Sequence, residues 1–337
     1  MRIAIDAMGG DHAPDEIIAG ALEAREVLGN EDELVMIGDE QVIESHLQKL
    51  GADPKTFRVL HASDVIGMDE SPVEAIRRKP KSSISIMARA ASHRQVDAVL
   101  SAGNTGACVA GCQLRMRNLK GVLRPGIALA IPTLYGPVTI CDVGANIACK
   151  PINLYQYAVM SSIYAREIHN IKNPRVGLMN VGEEAAKGND LTKKTRELLI
   201  SDPNLNFIGN LEGGDIFEGK CDVVVCEGFL GNVILKTTES LAGMIFTAVG
   251  TEMKKQNLLL AWWFKKISKD VLKKYDYHEY GGALLLGVNG ISVICHGSSK
   301  ARTIKNAVSA CKRFADKHIN EQISERLSQV TVETNGQ

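Results

Sequence analysis

Six short segments concentrate the residues of this 337-residue chain that could do chemistry. They read DAMGGDH (6–12), SAGNTG (101–106), DVGAN (142–146), NVGEE (180–184), EGFLGN (227–232) and HGSSK (296–300). Each follows an apolar run and opens a helical pattern. Glycine lets a backbone approach a ligand closely, and a helix N-terminus offers unpaired N–H donors at the positive end of its dipole. Together these suit phosphate or another oxyanion, with Gly10, Asn104, Thr105, Asn146, Asn232 and Ser298 as the residues around it. The same residue types also serve turns and N-caps, so one such loop alone says little. Cations near the loops are few: Lys150, Lys187, Lys236, Lys300 and Arg302. His12 and His296 can act as acid or base, or simply bond within their loops. The dinucleotide fingerprint, the Walker A loop, GxSxG and HExxH are all absent.

The elements that must position these loops alternate. Apolar runs at 2–6, 33–38, 57–62, 97–103, 175–182, 221–228 and 291–297 read as strands, as do IALAIPT and PVTICDVG between them. Helical patterns follow at about 14–28, 40–50, 72–78, 83–94, from 105, 151–169, 190–200, 229–253 and from 299. Such alternation predicts a parallel sheet covered on both faces. All six loops would then fall on one edge, at the strand C-termini, where ligands bind in open α/β folds. With no linker or repeat, residues 1–330 read as one α/β/α unit. The segment after about Glu325 reads as a polar, frayed end, with 331–337 as tail.

Lys plus Arg and Asp plus Glu each number 39, and such a balance argues against a nucleic-acid binder. No unbroken apolar run reaches the roughly 18 residues of a membrane span, and the start, MRIAIDAMGGDHAP, does not read as a signal peptide. The eight cysteines form no CxxC and no zinc spacing. They read as buried hydrophobes in a reducing cytosol, and no metal site is expected. Cys295 and His296 are neighbours on a strand and so point to opposite faces, which makes them a poor nucleophile–base pair.

Residues 253–274, MKKQNLLLAWWFKKISKDVLKK, differ from the rest, with seven lysines against Asp270 and both tryptophans of the chain. Leu259, Leu260, Trp262 and Trp263 lie in the apolar run; from Leu260 onward Phe264, Ile267 and Val271 fall on one helical face, and Lys265, Lys266, Lys269 and Lys273 fall on the other. The pattern fits a helix lying on an anionic lipid surface; a helix packed in a dimer interface is the alternative. The long helix and this segment together span 229–275.

MRIAIDAMGGDHAP, SAGNTGA, DVGAN, GLMNVGEEAAKGN (177–189), EGGDIFEGKCDVVVCEGFLGNVILK (212–236) and EYGGALLLGVNGISVICHGSS (279–299) together resemble the bacterial phosphate acyltransferases, the acyl-ACP:phosphate transacylases of phospholipid synthesis. The resemblance runs over nearly the whole chain. Cys295 and Leu284 depart from it, where serine and proline are common. It implies a Rossmann-like α/β/α sandwich related to phosphotransacetylase and isocitrate dehydrogenase, and a homodimer. It also implies transfer of a fatty acyl group from acyl carrier protein to inorganic phosphate, without metal or organic cofactor. The acyl phosphate would pass to a glycerol-3-phosphate acyltransferase at the membrane, where this enzyme would be peripheral. Lys187 takes the place of the family's carrier-contacting lysine. On this reading Asn104, Thr105, Asn232, His12 and Lys236 are catalytic. Gly9, Gly10, Asp11, Gly103, Asn146, Gly228, Gly282 and Ser298 hold phosphate or acyl phosphate. Phosphate is already a nucleophile and a thiol of pKa about 8.5 leaves easily, so the site needs positioning and oxyanion stabilisation rather than a triad. Two other readings are a metal-dependent dehydrogenase or CoA-dependent phosphotransacetylase of the same fold, and a non-catalytic membrane scaffold.

Overall fold

The computed structural model describes residues 1–256, 262–267 and 281–329. Eleven strands form one sheet: β1 (Arg2–Asp6), β2 (Glu33–Gly38), β3 (Arg58–His61), β4 (Ala98–Ser101), β5 (Gly126–Thr133), β6 (Gly136–Cys141), β7 (Arg175–Met179), β8 (Asn206–Leu211), β9 (Val223–Val225), β10 (Ala283–Leu286) and β11 (Ile291–Ile294). Their spatial order is β3-β2-β1-β4-β11-β10-β5-β6-β9-β7-β8. One face is covered by α1 (Asp15–Ala24), α2 (Glu40–Lys49), α6 (Pro151–Ile168), α7 (Asp190–Ser201), α10 (Ala301–Asp316) and α11 (Ile319–Ser328). The other carries α3 (Pro72–Arg78), α4 (Ser83–Ser92), α5 (Thr105–Arg115) and the start of α8 (Gly228–Gln256). A short helix, α9 (262–267), follows. Central strands such as β4 are buried at every residue, which is why they read as unbroken apolar runs.

The sandwich agrees with the expectation; the single edge does not. β5 and β6 form an antiparallel hairpin, and β10 runs antiparallel to both β5 and β11. β6, β7, β8 and β9 are mutually parallel but run opposite to β1, β2, β3, β4 and β11. The loops 6–12, 101–106 and 296–300 therefore share one edge, and 142–146, 180–184 and 227–232 share the other. A tight turn with Gly136 at φ 120 reverses the chain and with it every later strand of that half.

The α8 helix reconnects the two edges. It starts beside loop 142–146 and crosses the sheet face towards β11. Close approach requires Gly231, where an added Cβ would lie 1.9 Å from the carbonyl oxygen of Asp142. Glu227 caps it, its carboxylate accepting from the N–H groups of Phe229 (2.7 Å) and Leu230 (2.9 Å). Farther on, Leu241, Met244 and Ile245 are half or more exposed. By length and composition Gly228–Lys255 could cross a bilayer, although its apolar residues are interrupted by polar ones.

At the other end, α11 continues to Ser328 with Leu327 buried, so the chain does not fray at Glu325; the apolar stripe Ile319, Ile323, Leu327 packs it against α6. The proposed tail 331–337, and Leu259 and Leu260, lie outside the described residues.

Candidate functional site

Three loops of the β1 edge are knit together. Asp6 is buried, and its carboxylate accepts from the Ser101 hydroxyl at 2.7 Å and the Met8 N–H at 3.2 Å. Burial pushes its pKa up, and these donors pull against that. Ser101 Oγ accepts in turn from the Gly103 N–H, and its carbonyl from the Cys295 N–H. A Cβ on Gly9 would sit 2.8 Å from the Gly103 nitrogen, so only glycine allows these loops to touch. The Asp11 N–H donates to the Gly297 carbonyl at 2.8 Å.

Between this edge and α8 lies a cavity of about 210 Å³. Asp11, Thr105 and His296 reach it from the β1 edge; Asn232, Lys236 and Glu239 reach it from α8. Ile127, Leu129, Val143, Leu235 and Ile294 make its apolar floor. Among the described residues, Lys236 is the only ammonium on the wall. Its Nζ stands 2.7 Å from Nε2 of His296 and 3.0 Å from Oε2 of Glu239. On its far side the His296 ring meets Ser298, with Nδ1 2.8 Å from Oγ. The wall thus brings polar groups that can bond a small anion together with an apolar surface. A larger cleft of about 600 Å³ opens at the opposite end of β1 and β4, but its Arg2 is already paired with Asp97 at 2.9 Å.

The other sequence-derived candidates take different places. Asn104 caps α5, its Oδ1 accepting from the Ala107 N–H at 3.0 Å, while its amide donates to the carbonyls of Gly67, Met68 and Glu70. It therefore holds loop 63–71, whose Met68 covers the cavity, rather than lining the cavity itself. Asn146 is buried on the other edge, its amide bonded to Pro125, Asp142 and Tyr157. The donors of loop 142–146 are filled by Asp142, whose carboxylate accepts from the N–H groups of Ile127, Gly144, Ala145 and Asn146 at 2.7–3.1 Å. Burial raises the Asp142 pKa against those bonds. Gly228 packs on the Asn146 backbone. Neither Asn146 nor Gly228 lines the cavity, although Val143 and Asn232 of the same loops do: the Asn146 amide is spent on Pro125, Asp142 and Tyr157, and Gly228 is packed against the Asn146 backbone. His12 is exposed and outside the cavity lining, and Gly9, Gly10 and Gly103 shape the backbone behind it. Gly282 lines the cavity and Ser298 stands behind His296. Lys187 is exposed in the loop after β7, on the other edge.

Glu239, Met68 and the residues of the apolar floor escaped the sequence reading. Glu239 carried a visible signal, since it lies three residues after Lys236 on one helix and must be its neighbour. Met68 carried none: only the Asn104 bonds bring its loop to the site. Among the described residues no group of three or more His, Cys, Asp or Glu side chains could hold a metal ion. All eight cysteines are free thiols. Cys295 lines the cavity, yet burial pushes its thiol up to about 12, which keeps it from being a nucleophile.

The fold is shared with a phosphotransacetylase from Streptococcus pyogenes (TM-score 0.65, 15% identity, 94% of each chain covered). A branched-chain phosphotransacylase from Enterococcus faecalis aligns with a TM-score of 0.59 at 12% identity, over 94% of this chain and all of that one. The family described as "fatty acid synthesis protein" matches residues 1–322. A phosphate acyltransferase of Desulfitobacterium hafniense is 47% identical over 334 residues, and one of Dictyoglomus turgidum is 43% identical over the same length; each match covers 98% of this chain and 99% of the relative. Similarity of this extent, over a fold with an anion-sized site beside an apolar one, places the chain in the fatty acid synthesis protein family, among the phosphate acyltransferases.

Proposed function

We propose that the enzyme takes its fatty acyl group from the thioester of acyl carrier protein, and that the 210 Å³ cavity is where phosphate meets it. The observation that carries this reading is the pairing of Thr105, Asn232, Lys236 and His296 with the apolar floor of Ile127, Leu129, Val143 and Ile294. The polar groups suit phosphate, and the floor suits the first carbons of an acyl chain. A phosphate oxygen attacks the carbonyl carbon, forming a C–O bond. The tetrahedral oxyanion collapses, the C–S bond breaks, and the carrier leaves as a thiolate that takes up, through solvent, the proton given up by the hydrogen phosphate. Lys236 balances charge on the phosphate, and the hydroxyl and amide donors of Thr105 and Asn232 orient it.

Direct attack requires no acyl-enzyme. Cys295→Ser should therefore retain turnover within about threefold, since the change is nearly isosteric at a buried site. The test is purified full-length enzyme with acyl carrier protein thioester or acyl-CoA, with and without phosphate. Thiol release should require phosphate and favour the carrier thioester. Equal use of acyl-CoA would move the reading towards a phosphotransacetylase-like reaction, and a labelled acyl-Cys295 would overturn direct attack.

Lys187, exposed beside the acidic loop 180–184, is the proposed contact for the carrier. The outer face of α8, with Leu241, Met244 and Ile245 uncovered, suits the second copy in a homodimer. Trp262 and Trp263 are 60% and 63% exposed on a helix that also carries Lys265 and Lys266. They suit reversible contact with an anionic membrane from the cytoplasmic side, where the glycerol-3-phosphate acyltransferase would collect the acyl phosphate. Trp262→Glu with Trp263→Glu should abolish co-sedimentation with vesicles containing phosphatidylglycerol while leaving turnover in solution intact. Wild-type co-sedimentation by this double variant would make the helix a packing element instead.

A further inference from the structure

A carboxylate 3.0 Å from the ammonium of an anion site is out of place, because it cancels the charge that attracts phosphate. The Glu239 side chain is also held there unfavourably: its Oε1 is buried and, among the described residues, has no hydrogen-bond partner. It must offset that by something it does for Lys236. An ammonium has three donors and no acceptor, so the 2.7 Å contact with His296 requires Nε2 to be the acceptor. The ring's proton then sits on Nδ1 and points at Ser298 Oγ, 2.8 Å away. The Ser298 backbone N–H also points at Nδ1, from 3.3 Å, as a competing donor; the shorter Lys236 contact at Nε2 decides against it. Ser298 Oγ, accepting from the ring, keeps its own hydrogen to donate.

We propose that Glu239 is a positioning residue of the acyl transfer: it holds Lys236 against Nε2 of His296 and so sets the imidazole tautomer, with Nδ1–H braced on Ser298 behind the ring. The inference rests on the reading of this cavity as the phosphate site. It separates two effects that a merely structural residue would not separate. Removing the Glu239 charge strengthens the field on phosphate, while releasing Lys236 disorders the relay.

The test compares Glu239→Ala and Glu239→Gln with wild type by steady-state kinetics in inorganic phosphate and by ¹⁵N spectra of histidine-labelled enzyme, with His296→Asn identifying the signal. Glu239→Ala should lower kcat at least about tenfold, as expected for lost positioning, while KM for phosphate falls several-fold. Its His296 signals should move away from the Nδ1–H pattern. Glu239→Gln, which still offers an oxygen to Lys236, should recover kcat and the wild-type His296 pattern while keeping the lowered KM. If Glu239→Ala does not fold, Glu239→Gln decides alone: an unchanged or higher KM for phosphate overturns the proposal. So does a Glu239→Ala enzyme with wild-type kcat and tautomer. Titration of wild type with phosphate tells the two readings apart. If His296 does not respond, the cavity is not the phosphate site; if it responds and the Glu239 variants behave as wild type, only the positioning role falls.

Discussion

Lys236→Met should lower kcat/KM for phosphate by about 10²–10³-fold, the range seen when one preorganised oxyanion donor is removed. The lower end is expected, because the Lys236 side chain is 44% exposed and solvent screens part of its charge. The loss has two sources. The cavity wall gives up the Lys236 ammonium, and Glu239 loses the cation that compensates its carboxylate. Lys236→Met combined with Glu239→Gln should therefore recover part of the loss, which marks the effect as electrostatic. Thermal melting of both variants should stay near wild type, since neither group fills the core. A Lys236→Met enzyme within twofold of wild type would remove the cavity from the reaction.

Asp142→Ala is expected to destabilise the fold by more than about 3 kcal/mol, because it strands several buried donors at once. Oδ1 accepts from Ile127, Gly144 and Ala145, and Oδ2 from Asn146 at 2.7 Å. Asp142 is wholly buried, so alanine leaves these N–H groups without the carboxylate in a site closed to bulk solvent. Asp142→Asn keeps an oxygen for three of the bonds but sets an amide against the Asn146 N–H, so an intermediate loss is expected. Denaturant melts of the three proteins give the comparison. Equal midpoints for Asp142→Ala and wild type would mean that loop 142–146 is held by other contacts. Because this loop seats Gly228 and Gly231 of α8, the destabilised protein should also lose the register of Asn232 and Lys236.

The layers of the fold and most of its elements were legible from local pattern. Strands buried on both faces read as short apolar runs, and the helices between them carried caps and polar faces, all within a few residues in sequence. β8 and β10 were missed. NFIGNL lacks a run of β-branched residues, and ALLL is as apolar as a helix segment of the same length. For the site, Thr105, Asn232, Lys236 and His296 could be picked out by residue type, and full-length resemblance identified the chemistry. Residue type could not place Asn146 and Gly228. Loop 142–146 has the composition of a phosphate loop, but its donors are spent on Asp142, and Gly228 packs on its backbone. Strand direction decided on which edge these loops lie, through a hairpin turn at Gly136 that sends half of the sheet the other way. Local sequence sets which residues can bond an anion. Only the tertiary arrangement, with α8 laid across the sheet face on Gly231, sets which of them stand close enough to share one, because hydrogen bonding and charge act over a few ångströms and not along the chain.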